Sequence, residues 1–417
     1  MLKEGIMKRF LAFVLASTMA VSAFAANTKI SVIHYMAEKQ KQDALTAWIN
    51  GFKKTNPNVD FEVTAVQVAN YPVTLKTMIA SGDIPDIIFG KPKEMSDLVD
   101  AGHIADLSRA SFLKNLNKDS LPAVTINGKI YGIPIDLQTI GVFYNTDVFA
   151  RYKLSVPKTW TEFIAVADTL KAKGVAPFAH PFKDNWTLFV DFYADEYVAR
   201  QDAPTFYQDI EKGKKTFAGS AYFKSTLSRF LKRVSYNAGD DWGTDNSTAQ
   251  SMLATGKAGM YVQGNWSVGD FMKNYPSARI GFFPMPVFED PKKNLLPIGV
   301  DDCWMISASS KNRVAVDKFF EYATGPEATL SWMKGTNTIA YTVSADKVQL
   351  DPMSKSIVDW VKSGKVTNFH APVLFSSSLE DVYRNMIIEA GATVSTGKVD
   401  IDALIKKFDE KINEVKP

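Results

Sequence analysis

Between residues 28 and 89 the hydrophobic period switches back and forth, and that alternation narrows the fold class more than any other feature. Thr28-Lys-Ile-Ser-Val-Ile-His34 reads as a buried strand, and Leu45, Trp48, Ile49 and Phe52, within 38–54, then fall at helical spacing. Asn56-Pro57-Asn58 breaks that helix; Val59–Val66 alternates as a strand and a helix follows through Val73–Ile79. Gly82-Asp83-Ile84-Pro85 turns the chain into a third strand, Asp86–Phe89. Strand–helix–strand–helix–strand predicts a doubly wound α/β sheet, with ligand sites at the carboxyl ends of its strands.

Further along, Asn127-Gly128 marks a hairpin turn, and Ile140–Tyr144 reads as a strand. Thr159 with Glu162 forms a capping box ahead of a helix over 160–170. Residues 186–260 read mostly as helix, with strands at Met260–Val262, Ala278–Phe283 and Trp304–Ser307. Helices are expected at Val314–Ala323, Phe375–Thr393 and Asp402–Glu414. The chain of 417 residues leaves room for about two or three domains.

The first 25 residues have another character. Lys8 and Arg9 precede an apolar run from Phe10 to Val21, and Ala23-Phe24-Ala25 is a small-x-small exit. That is the pattern of a cleavable secretory signal, expected to be cut after Ala25. Its removal takes three basic residues and one acidic from a net charge of +3, leaving +1. So small a charge, with no basic tail, points away from nucleic acid. Cys303, the single cysteine, excludes intramolecular disulfides and leaves no lipid-carrying cysteine at residue 26. The expected location is therefore the periplasm, as an unanchored monomer.

Several chemistries have no support. The four histidines (34, 103, 180 and 370) are scattered, so no metal site is expected. No phosphate-binding or dinucleotide-binding glycine loop occurs, and neither does a nucleophile elbow; no cofactor and no catalytic residue is expected. Asp195-Glu196 reads as a solvated helix face. What remains is aromatic residues beside amides and acids: Trp186 after Asn185, Trp266 after Asn265, and Trp304 after Asp301-Asp302. Sugars need that mixture, because their C–H faces stack on rings while their hydroxyls require planar hydrogen-bonding partners.

Eight local patterns, in order, carry a resemblance. They are Phe52-Lys-Lys-Thr-Asn-Pro57, Ala80-Ser-Gly-Asp-Ile-Pro-Asp86, Asn127-Gly-Lys-Ile-Tyr-Gly-Ile-Pro134 and Phe143-Tyr-Asn-Thr-Asp147. Pro157-Lys-Thr-Trp-Thr-Glu162, Gly256-Lys-Ala-Gly-Met260, Gly264-Asn-Trp266 and Ile280–Pro286 continue the series. Over nearly all of 26–417 the chain resembles the family 1 extracellular solute-binding proteins, the group that includes maltose-binding protein. The resemblance implies the two-lobed, type II periplasmic binding protein fold, with discontinuous lobes, a hinge and an interlobe cleft. Its N-lobe would hold 27–136 and 303–345, its C-lobe 137–300 and 346–417, with crossings near Ile135–Gln138, Ile298–Asp302 and Tyr341–Gln349.

The implied function is binding, not catalysis: a carbohydrate, either a monosaccharide or a short oligosaccharide, held in the cleft and handed to the permease of an ABC importer. By this resemblance Trp266 is the stacking aromatic, and Gln138 stands where maltose-binding protein has an acidic ligand residue. Glu38 and Lys39 occupy the place of a polar ligand pair, Lys91 and Lys93 follow the third strand, and Arg384 matches a cleft arginine. Gly90 and Glu380 replace stacking tryptophans, which disfavours maltodextrins. Asn265, Asp136, Trp186, Asp301 and Asp302 complete the candidates, each with an equally good account as packing or wet surface. A receptor for an anionic solute, such as a sugar phosphate or uronate, is the closest alternative, on Lys91, Lys93 and Arg384; a secreted glycoside hydrolase is more remote.

Overall fold

The structure is a computed structural model that describes residues 28–237, 239–342, 352–368, 375 and 377–416. The expected signal segment and most of the crossing at Tyr341–Gln349 lie outside the described residues. The strands, in chain order, are β1 (Thr28–His34), β2 (Val59–Ala65), β3 (Ile87–Phe89), β4 (Thr125–Ile126), β5 (Lys129–Ile130), β6 (Ile133–Pro134) and β7 (Leu137–Asn145). They continue as β8 (Ala176–Phe178), β9 (Ala258–Gly264), β10 (Ile280–Phe283), β11 (Leu296–Val300), β12 (Cys303–Ile306) and β13 (Val366–Asn368).

Two larger sheets organise the chain. The first runs β2-β1-β3-β12-β6, with β1 parallel to β2 and β3, and β12 antiparallel to β3. The second runs β13-β11-β7-β9-β8, with β10 also paired to β7. The early β–α–β–α–β reading is the first sheet, and its resumption at Trp304 is β12.

Apolar spacing explains the first layer. Helix α1 (Lys39–Lys53) buries Ala44, Leu45, Trp48 and Phe52 along one stripe. That stripe packs on Ile30, Val32, Ile87, Trp304 and Trp332. Asp86 ties the sheet to the loop after β12: its carboxylate accepts from the Ser31 N–H at 2.9 Å, Ser310 Oγ at 2.6 Å and Asn312 Nδ2 at 3.0 Å. The capping box at Thr159 forms with a variation. Thr159 Oγ1 accepts from the Glu162 N–H, while the Glu162 carboxylate accepts from Lys158 rather than from the cap residue itself.

The Asp195-Glu196 expectation is corrected. Both side chains are fully buried, in helix α2 (Asn185–Ala199). This helix runs through the middle of the second lobe, packed against α3 (Ala221–Val234), β9, β7 and β11. Arg233 and Arg229 reach in from α3 to Asp195, at 2.9 Å and 2.7 Å, and Arg233 also pairs with Asp191 at 2.8 Å. Paired charge is what lets so polar a helix face stay buried.

The chain passes between the sheets at β6–β7 and again at β11–β12. The Ile135 N–H donates to Asp302 O and the Asp301 N–H to Asp136 O, both at 2.9 Å. A third segment, 339–341, joins them: the Leu137 N–H donates to Ile339 O and the Tyr341 N–H to Ile135 O, both at 2.6 Å. Gly299 sits inside β11, opposite Gln138. The segments that link the sheets, and belong to no strand of either, are Ile135–Asp136 and Asp301–Asp302.

Candidate functional site

Several predicted residues follow strand ends: Glu38 after β1, Lys91 after β3 and Trp266 after β9. Glu38 is the N-cap residue of α1, and Lys91 follows β3. Lys91 Nζ donates to Gln138 Oε1 at 3.2 Å, so a residue beyond the first sheet touches one on β7 of the second. Burial raises the Glu38 carboxyl above its usual range; Lys41 opposes that shift, while Asp301 and Asp270 add to it. Asp270 lies on α4 (Ser267–Asn274), which starts just after Trp266.

Two indoles form the aromatic part. Trp186, in the first turn of α2, and Trp266 lie with ring centroids 6.3 Å apart, inclined at 56°. Trp266 is 8% exposed, and its buried Nε1–H has no hydrogen-bond partner. Gln40 Nε2, on the first turn of α1 and beside Gly269 of α4, is likewise unpartnered. Buried donors left open at a lobe junction are positions that a ligand hydroxyl can satisfy.

Arg384 lies on α6 (Ser377–Thr393), counting Pro326–Thr336 as α5, and stands 5.6 Å over the Phe189 ring. Its Nε donates to Glu380 Oε1 at 2.9 Å, and that same oxygen accepts from Tyr193 Oη at 2.9 Å. Burial alone would disfavour the charge, but Tyr193, Glu380 and, from the other lobe, Glu94 hold the guanidinium protonated. At the position of the other missing platform, Gly90 has φ +151°, and a Cβ there would come within 2.6 Å of Met95. That backbone strains any larger residue, and the end of the Met95 side chain would have to move aside for it.

Other candidates are committed within the protein. The Asn265 amide bridges β9 to β7, accepting from the Thr139 N–H and donating to Leu137 O, both at 2.8 Å. Lys39 is exposed and pairs with Asp43 on its own helix, and Lys93 donates to Pro122 O at 2.8 Å. Asp136 is fully buried; it accepts from the Asp302 N–H at 2.8 Å and from Trp332 Nε1 at 3.1 Å. Lys41 Nζ contacts Asp301 Oδ2 at 2.7 Å and both Asp302 oxygens, at 3.0 Å and 2.9 Å. Asp136 and Asp302 therefore tie the crossing segments together, and only Asp301 of the three keeps an exposed edge, at 14%.

Sequence reasoning missed Lys41, Gln40, Glu94 and Asp270. Lys41 left a signal: it precedes Leu45, Trp48 and Phe52 at intervals of four, seven and eleven, on the buried stripe. A lysine on such a stripe calls for buried acids opposite. No helix among the described residues is long and apolar enough to cross a membrane.

Comparison with known proteins fits this geometry. The profile of the bacterial extracellular solute-binding protein family matches residues 37–330. The chain belongs to that family. Members are binding components rather than enzymes. A multiple sugar-binding protein of Streptococcus mutans is 28% identical over 336 residues, 78% of this chain and 79% of its own. A maltodextrin-binding protein of Bacillus subtilis is 22% identical, covering 83% of this chain and 82% of its own. Among solved structures, a chitin oligosaccharide binding protein superposes with a TM-score of 0.80 at 21% identity, over 94% of this chain and 99% of that one. The solute-binding protein RafE in complex with raffinose gives 0.77 at 21% identity, over 94% and 100%. These structures share the two-lobed fold, with its hinge and interlobe cleft.

Proposed function

We propose that this solute-binding protein holds a neutral carbohydrate, a monosaccharide or a short oligosaccharide, between its lobes and delivers it to an ABC importer permease. The observation that carries this reading is the Trp186–Trp266 pair with an unpartnered indole N–H, a surface suited to a sugar's C–H face with one donor for its hydroxyl. Glu38, Asp301, Lys91 and Gln138 supply hydrogen-bonding groups around it, and Arg384 closes the far side, held by Glu380. Asn265, Asp136 and Asp302 act by positioning. The lobes are assigned as 27–136 with 303–345, and 137–300 with 346–417. Export by a signal cut after Ala25, to a periplasmic monomer, completes the proposal.

Charge weighs against the anionic alternative. Lys91 already pairs with Glu94 at 3.6 Å, Lys41 with Asp301 and Asp302, and Arg384 with Glu380. An anion would have to compete with those carboxylates and lie near Glu38. A thermal-shift screen of neutral sugars, amino sugars and uronates tests the reading. A ligand at 100 times its Kd stabilises by about 2.7 kcal/mol, an easily measured shift. Neutral oligosaccharides should give the largest shifts; a preference for uronates would overturn the charge argument, and shifts only from non-carbohydrate solutes would overturn the reading itself.

A further inference from the structure

The strands joining the two sheets run side by side, and an unbalanced set of charges is buried among them. Asp136, Asp301 and Asp302 bring carboxylate oxygens within 4.8 Å of one another. The cation they surround is the Lys41 ammonium, which among the described residues is the one cation that ion-pairs with any of the three. Other titratable groups face the cluster from each element around it. They are Glu38 at the start of α1, Tyr35 after β1, Tyr341 on the third joining segment and Cys303 on β12. Lys91 and Glu94 lie beyond Cys303, and Asp270 beyond Glu38. One ammonium cannot balance three carboxylates where water is excluded. Burial and mutual repulsion accordingly push the Asp302 carboxyl well above its ordinary range, and raise Asp136 with it.

We propose that this cluster is a proton latch on the hinge: the closed arrangement, in which Lys91 reaches across to Gln138, holds one extra proton, shared by Asp136 and Asp302, and opening the cleft releases it. Both aspartates sit on the two segments that link the sheets, Ile135–Asp136 and Asp301–Asp302, through which any relative motion of the lobes must pass. Opening turns those segments and admits water past Asp301, the one carboxylate with an exposed edge. Hydration removes the reason for holding the proton, so the carboxyls return toward their ordinary values. The sign follows: the closed form binds the proton more tightly, so rising pH favours the open form. For one proton the closed-to-open ratio falls by at most about tenfold per pH unit. The inference concerns the mechanics of the lobes and holds whichever solute the cleft accepts.

Two measurements on the full chain, without ligand, test it. Spin labels at Lys76→Cys and Lys171→Cys, both exposed and on opposite lobes, report the interlobe distance, while buried Cys303 stays unlabelled. Between about pH 5.5 and 9.5 the long-distance population should grow in the labelled parent and change little in its Asp136→Asn or Asp302→Asn derivative. Should those variants fail to fold, carboxyl carbon-13 NMR of the unsubstituted, aspartate-labelled protein decides: one aspartate should remain protonated at neutral pH. A distance distribution indifferent to pH, or fully ionised aspartates at neutral pH, would overturn the latch.

Discussion

At the residue scale the site rests on Trp266. Its ring lies 6.3 Å from that of Trp186 and its buried indole N–H has no hydrogen-bond partner, so on the proposed reading Trp266→Ala should weaken sugar binding by about 1–3 kcal/mol. Titration calorimetry with the sugar that gives the largest thermal shift checks this, and unchanged affinity would reassign Trp266 to the core. Cys303 gives a second expectation. Burial pushes its thiol up to about 12, so it stays a thiol at neutral pH and nucleophilically inert. A thiol reagent should find no reactive group in the native protein and one per chain in denaturant. Both positions carry local signals, an isolated cysteine in an apolar run and a Gly-Asn-Trp at a strand end. Asp136 and Asn265 were legible only as polar residues in suggestive places. Their partners Trp332 and Thr139 are 196 and 126 residues away, a separation no local pattern encodes.

At the scale of elements, a buried charge pair can be mistaken for a wet surface. Asp195-Glu196 has the composition of an exposed helix face; its burial is tolerable because Arg233 and Arg229 of α3 pair with Asp195, while Arg200 and the Tyr222 hydroxyl meet Glu196. Arg233→Met should destabilise the second lobe by about 3–5 kcal/mol in chemical denaturation, since it leaves Asp191 and Asp195 short of a partner. Unchanged stability would mean that Arg229 alone satisfies both acids. Asp86 sets the corresponding expectation in the first sheet. Burial tends to raise its carboxyl, yet hydrogen bonds from Ser310, Ser31 and Asn312 prevail and hold it below the ordinary 3.8. A lowered folded value stabilises above the unfolded value and is lost as pH falls through the folded one. Asp86→Asn should therefore lower stability at neutral pH and flatten acid unfolding below about pH 4. A variant with the parent's acid profile would show that other carboxylates govern it.

At the scale of the molecule, the strand–helix alternation was enough for the sheet class, while the return of β12 to the first sheet came from the resemblance, because an interrupted lobe has no local signature. Where the lobes meet was least legible of all: the Lys91–Gln138 and Arg384–Glu94 approaches depend on how two separately folded bodies dock. That docking is the basis of the last prediction, that a sugar closes the lobes. Groups around the cleft come from both sides, Glu38 and Lys91 from one, Trp266 and Arg384 from the other. A solute touching both sides binds the closed form better, and only this difference shifts the equilibrium. Moving it from 1:99 to 99:1 takes about 5.5 kcal/mol, within reach of a stacked ring and several hydrogen bonds to charged groups. Bending concentrates at Ile135–Asp136 and Asp301–Asp302, because Ile298–Val300 are held in the ladder with β7. Small-angle scattering should show a smaller radius of gyration with the sugar bound, and the latch adds a condition: at alkaline pH more sugar should be needed for the same contraction. A radius unchanged at saturation would place the sugar within one lobe, where neither the cross-cleft groups nor the hinge charges would contribute to its affinity.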